Sequence, residues 1–286
     1  MKNLITQIDF NAFPTKLKKI KAPPKQLYII GNESLLYEEC FAIVGTRKIS
    51  KYGIQNCKNF SKEFALRKIP IISGMALGTD TVAHETCIKY GEKTIAVLGS
   101  GLNKIFPIQN KELFNKIIEL DGLIISEYNI DEEPAKEHFP KRNRIITALA
   151  EGVLVIEAAY RSGTSITARL AKEQGKNVFA IPGKLNTTVG VGVNRLIKEG
   201  AILTTSIEDI LNMYPNFKSR EITQIVKKRI KPEYKMIYQY IEDGKFLDEI
   251  LEKTEENIQK IIYLLSQMED EELIYQDIDG MYKKIE

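Results

Sequence analysis

Between about residues 41 and 212, short runs rich in Val and Ile alternate with longer stretches in which apolar residues recur every three or four positions. The short runs read as strands buried on both faces, and the stretches between them as amphipathic helices. The expected strands are Phe41 to Thr46, Ile69 to Ser73, Thr94 to Gly99, Leu123 to Glu127, Val153 to Ala158, Val178 to Pro182 and Ala201 to Thr204. The helices expected between them are Tyr52 to Arg67, Asp80 to Tyr90, Lys111 to Leu120, Arg144 to Glu151, Ile166 to Gln174 and Val193 to Glu199. This rhythm predicts βαβ units, hence an α/β, extended Rossmann-like fold with a doubly wound, mainly parallel sheet over residues 41–212.

The flanks lack that rhythm. Residues 1–40 hold the basic run Lys16 to Lys21 and the pair Pro23-Pro24, and are expected to form an N-terminal arm packed on the sheet domain. Residues 213–232, with Pro215, Pro232 and the cluster Lys227, Lys228, Arg229 and Lys231, read as a solvated linker. Residues 233–286 read as three helices (Tyr234 to Ile241, Phe246 to Leu251, Glu255 to Met268) and a hairpin around Asp279-Gly280, which predicts a small winged-helix module.

Charge sharpens this division. The 286 residues carry 41 Lys and Arg against 38 Asp and Glu, a net of +3. Residues 233–286 have 6 basic against 15 acidic residues, a net of −9, so residues 1–232 carry +12. A basic body of that kind suits a polyanion. No run approaches 18 apolar residues and the opening residues turn polar too quickly for a signal peptide, so a cytoplasmic protein with no membrane partner is expected. Cys40, Cys57 and Cys87 form no Cys-x-x-Cys pair and fit buried hydrophobes in a reducing compartment. With two histidines, His84 and His138, no metal or cofactor is expected.

In an open parallel sheet, ligands bind at the carboxyl ends of the strands. Here four strand ends carry glycines and hydroxyls: Gly45-Thr46-Arg47-Lys48, Ser73-Gly74, Gly99-Ser100-Gly101 and Ser162-Gly163-Thr164-Ser165. Each precedes a helix whose free amides suit a phosphate, although glycines also follow strands simply because chains turn. No G-x-G-x-x-G and no Walker lysine motif is present. The densest cationic stretch, Lys136 to Arg144, holds Lys136, Lys141, Arg142, Asn143 and Arg144 beside Phe139. Basic groups beside an aromatic suit single-stranded nucleic acid, and equally a charged helix entry with Phe139 as a core anchor. Asp80 and His84, four apart, suit an intrahelical pair, while Glu127 and Glu157 suit loop amides, a ribose or catalysis.

The ordered motifs Ile43-Val44-Gly45-Thr46-Arg47, Ser73-Gly74-Met75-Ala76-Leu77-Gly78-Thr79-Asp80, Ala96-Val97-Leu98-Gly99-Ser100-Gly101-Leu102, Phe139-Pro140-Lys141-Arg142-Asn143-Arg144, Ser162-Gly163-Thr164 and Ile181-Pro182-Gly183 resemble those of the bacterial DNA-processing protein A (DprA, or Smf) family. The resemblance implies a dimeric, non-enzymatic protein that binds single-stranded DNA and loads the RecA recombinase onto it during natural transformation. It implies that Arg47 is a principal phosphate contact, that Lys136 and the Lys141 to Arg144 cluster line the same pocket, and that Phe139 meets a base. Gly45, Thr46, Lys48, Gly74, Ser162, Gly163 and Thr164 complete the expected site. Dimerisation is implied for Val191 to Ile202, where Val193, Leu196, Ile197 and Ile202 would form an apolar stripe that could also pack on the sheet. The alternative is a nucleotide-processing enzyme of the phosphoribohydrolase type, but Glu157 to Thr164 lacks that family's paired glycines.

Overall fold

A computed structural model describes residues 5–220, 230–271, 273–277 and 279–284. Two units have separate cores, residues 1–224 and 225–286. In chain order the first holds β1 (Thr6–Asp9), α1 (Thr15–Lys18), β2 (Gln26–Gly31), β3 (Cys40–Val44), α2 (Lys51–Leu66), β4 (Ile71–Ser73), α3 (Thr79–Lys89), β5 (Thr94–Val97), α4 (Lys111–Glu119) and β6 (Leu123–Ser126). It continues with α5 (His138–Leu149), β7 (Ala150–Val155), α6 (Gly163–Glu173), β8 (Asn177–Ala180), α7 (Thr188–Lys198), β9 (Ile202–Leu203), α8 (Ile207–Leu211) and α9 (Pro215–Lys218).

The nine strands form one sheet in the order β1-β2-β6-β5-β4-β3-β7-β8-β9. From β6 to β9 every pairing is parallel. All five residues of β3 are buried, because helices cover both sides. Alternate side chains serve opposite layers: Cys40, Ala42 and Val44 join Ile145, Leu149, Ala168 and Val193, while Phe41 and Ile43 join Phe60, Phe64, Ala83 and Cys87. The three cysteines are buried, and burial pushes the Cys40 and Cys57 thiols up to about 12, so they act as small hydrophobes.

Three expectations about the elements change. Residues 1–40 supply two sheet strands, since β1 pairs antiparallel with β2 and β2 antiparallel with β6. Tyr214 and Phe217, assigned to the linker, pack with Phe41 in the sheet's core, while Lys227, Lys228 and Arg229 lie outside the described residues. Helix α5 begins at His138, well before Arg144, with Pro140 inside its first turn. A proline is tolerated there because first-turn amides have no intrahelical acceptor to lose.

The second unit contains α10 (Lys235–Tyr240), α11 (Leu247–Thr254), α12 (Ile258–Asp270) and the antiparallel pair β10 (Ile274–Gln276) and β11 (Tyr282–Lys284). Tyr234, Ile237, Ile250, Ile261, Leu265 and Met268 form its core. Among the described residues no helix is long and apolar enough to cross a membrane.

Candidate nucleic-acid interface

The chain lays down β3 to β6 in one direction, then returns through α5 to place β7 on the other side of β3. The crevice of a doubly wound sheet opens at this reversal. The loops after β3 and β7 are tied together, because the Thr164 hydroxyl donates to the Gly45 carbonyl at 2.9 Å. The loop after β4 closes on the same place: the Thr79 amide and hydroxyl both donate to the Thr46 carbonyl at 3.2 Å. That approach requires Gly78, which has φ +81° and where a Cβ would lie 2.5 Å from the Thr46 oxygen. Locked from below, the loop leaves Arg47 and Lys48 exposed.

Helix α5 starts over the ends of β4 and β5. His138 Nδ1 lies 3.2 Å from the Gly99 carbonyl, so this nitrogen carries the proton, and its ring stacks on Tyr128 at 3.9 Å. Phe139 rests directly on Gly99, where a Cβ would stand 2.8 Å from the ring, so a glycine at this strand end seats the aromatic. The Arg47 guanidinium carbon sits 5.2 Å from the Phe139 ring centre, a cation–π distance. Lys136 and Lys141 are exposed on the same helix entry, with Lys141 loosely paired to Glu127 at 3.6 Å.

The helical turn separates the rest of the basic cluster, and here the expectation of ligand contacts needs correction. Arg142 is only 4% exposed and donates to the carbonyls of Gly74 (2.6 Å) and Val97. The Asp80 carboxylate acts on it only through its charge, and itself accepts the amides of Gly74 (3.1 Å) and Ala76 (3.2 Å). Burial pulls the guanidinium down to about 10 against the opposing pull of Asp80, leaving it charged at neutral pH. Burial likewise raises the Asp80 carboxyl, with Arg142 and the amides resisting. Arg144 is also buried and grips Glu127 through both terminal nitrogens, at 2.9 and 2.6 Å. Asn143 is half-buried and donates to Thr167 at 2.8 Å. Arg142 and Arg144 therefore turn inward and hold the strand-end loops together, while Asn143, between them, remains half-exposed.

Of the other expected residues, Gly45 and Thr46 are half-buried, Gly74 is buried beneath Arg142, and Thr164 is buried by its bond to Gly45. Gly163 is exposed, and the Ser162 hydroxyl accepts the Ser165 amide at 3.4 Å as the cap of α6. Val193 and Leu196 point into the sheet's core and Ile197 packs against it, so the α7 stripe covers its own sheet; Ile202 is half-buried on the edge strand β9. Asp80 and His84 do not pair: Thr94 donates to Ile71 and so accepts from His84 Nδ1 at 2.7 Å. Glu157 is buried and accepts the Ser50 hydroxyl (2.5 Å) and amide (2.9 Å), which uses both of its oxygens in capping α2. No group of three or more His, Cys, Asp and Glu suited to a metal exists among the described residues. Sequence reasoning passed over Phe106, whose ring centre lies 5.5 Å from that of Phe139; its signal was an aromatic next to Pro107 in a glycine-led loop.

The fold and its edge together define an α/β protein of Rossmann-like architecture whose ligand crevice is cationic and aromatic. Residues 4–215 match the family described as DNA recombination-mediator protein A, and the chain belongs to that family. It is a family of recombination mediators, not of enzymes. Relatives include Protein Smf of Escherichia coli K12, 42% identical over 71% of this chain and 54% of its own length. DNA processing protein DprA of Streptococcus pneumoniae R6 is 43% identical over 70% of this chain and 71% of its own. This chain thus spans about half of the first relative and about 70% of the second. The solved structure of DprA from S. pneumoniae aligns with a TM-score of 0.69 at 41% identity, covering 73% of this chain and 74% of that one. DNA processing protein A of Helicobacter pylori, solved in a study of its single-stranded DNA binding mode, aligns at 0.67 and 32% identity, over 75% and 97%.

Proposed function

We propose that this chain captures single-stranded DNA at the reversal point of its sheet and hands the strand to the RecA recombinase, in the cytoplasm, during natural transformation. The observation that carries the reading is Arg47 lying over Phe139 at 5.2 Å, with Lys48, Lys136 and Lys141 exposed around them. Guanidinium and ammonium groups take phosphates, while the aromatic offers a sequence-tolerant stacking surface to an unpaired base. The N-terminus of α6, where Gly163 is exposed, adds a dipole end suited to phosphate. The Helicobacter pylori relative, whose binding of single-stranded DNA was studied structurally, and the family's role as recombination mediator support the strand and the RecA partner respectively.

A homodimer is part of the proposal. With Val193 and Leu196 committed to the core, the apolar surface left for it is Ile197, Ile202 and the exposed Val191 and Leu203 at the sheet's last edge. The winged-helix-like unit, at −9, repels phosphates and is assigned no direct share of the DNA affinity.

Binding of labelled oligonucleotides, single- and double-stranded, by wild type, Arg47→Glu and Phe139→Ala across a salt series tests the reading. Affinity should fall with salt at a slope of about −0.7 per neutralised phosphate, and single strands should be preferred. Equal affinity for duplex, or indifference to Arg47, overturns the proposed site. Mass in solution of Ile197→Glu tests the dimer: an unchanged dimer removes that residue from the interface.

A further inference from the structure

We infer that Phe106 is a second stacking platform, so that the edge receives two successive unpaired nucleobases. This rests on the single-strand reading above. Phe106 is 43% exposed, and its ring stands 5.5 Å from Phe139 at an interplanar angle of 43°. Phe139 is therefore flanked by two planar groups, the Arg47 guanidinium and the Phe106 ring. A lone exposed aromatic calls for no explanation. This one stands beside the ring proposed to meet a base, on the loop that follows β5 at the carboxyl edge of the sheet.

The loop holds Phe106 outward by fastening its neighbours. Leu102 is buried and Ile105 packs against the same core beneath α4, while Pro107 is buried on the other side. The Ser100 hydroxyl donates to the Lys104 carbonyl at 2.6 Å, the Gly101 amide to Glu132 at 2.8 Å, and the Asn103 amide to Ile130 at 2.9 Å. With the backbone pinned on both sides, the ring gives up little freedom when a base stacks on it, which is the condition for stacking to add affinity. Phosphates taken by Arg47 and Lys48 would leave the attached bases facing this aromatic pair, and every base has a π-face to offer.

The test compares a 12-nucleotide oligothymidylate with an abasic deoxyribose-phosphate strand of the same length, by fluorescence anisotropy at fixed salt. Wild type, Phe106→Ala, Phe106→Leu and Phe106→Tyr are titrated with both. Phe106→Ala and Phe106→Leu should lose about 10-fold on the base-bearing strand and nothing on the abasic one, while Phe106→Tyr keeps wild-type affinity. Equal losses on both strands would show that Phe106 only supports the loop, and overturn the inference. So would no loss on oligothymidylate from a wild type that binds it well. A wild type that binds neither strand instead defeats the single-strand reading on which this one rests.

Discussion

Replacing Arg142 by Met separates two roles that its place in the basic cluster confuses. The guanidinium is 4% exposed, bonded to the Gly74 and Val97 carbonyls and set against Asp80. Methionine fills much of the same volume but leaves two carbonyls unpaired and one buried carboxylate uncompensated. Leaving two buried carbonyls without their donor, each worth about 1–3 kcal/mol, and Asp80 without its nearby positive charge costs about 3–5 kcal/mol in all. For a unit spanning residues 1–224, each kcal/mol moves the melting temperature by roughly 2–4 °C, so a fall of about 6–20 °C is expected. Differential scanning calorimetry of the full chain reads this in the larger transition. Adding Asp80→Asn should restore part of the loss, because the second change removes the stranded charge and the two sites are coupled. Oligonucleotide affinity, measured well below the lowered transition, should change far less than in Arg47→Glu. A melting temperature within about 2 °C of wild type, joined to a binding loss as large as that of Arg47→Glu, would refute the assignment and make Arg142 a ligand contact.

Three further outcomes follow from the same geometry. Gly99→Val places side-chain atoms where Phe139 rests, since even a Cβ would lie 2.8 Å from the ring; single-strand affinity should drop while the salt slope measured by titration stays near wild type. Burial, with the Arg142 charge acting in the same direction, holds His84 down to about 3, whereas the unfolded chain takes up that proton near pH 6.5; the contribution is full above 6.5 and is lost as pH falls toward 3, by up to about 1.4 kcal/mol per unit. Urea midpoints at pH 7, 6 and 5 should therefore decline more steeply in wild type than in His84→Gln, and parallel declines would count against this. Deleting residues 233–286, which carry −9, should leave single-strand affinity similar or stronger in the same anisotropy assay; a large loss would show that the unit contacts DNA.

Where sequence reasoning succeeded, the signal was local. The seven parallel strands are short apolar runs, and a strand covered on both faces must be apolar whichever partner it meets. Strand β2 escaped notice because it alternates buried and half-buried residues and is paired antiparallel at the sheet's flank, outside the βαβ rhythm. Helix α5 starts at His138, ahead of the expected Arg144, with Pro140 in its first turn, where a proline forfeits no hydrogen bond.

By itself the sequence determined the α/β class, the split into a +12 body and a −9 unit, and the concentration of Arg47, Phe139 and their lysines at strand ends. Only the tertiary structure decided which charges face outward. Consecutive residues on a helix point about 100° apart, so Lys141 reaches solvent while Arg142 turns inward to Asp80 and the strand ends, and Arg144 to Glu127. A guanidinium's partner is chosen by distance through space, and adjacency along the chain carries no record of that choice.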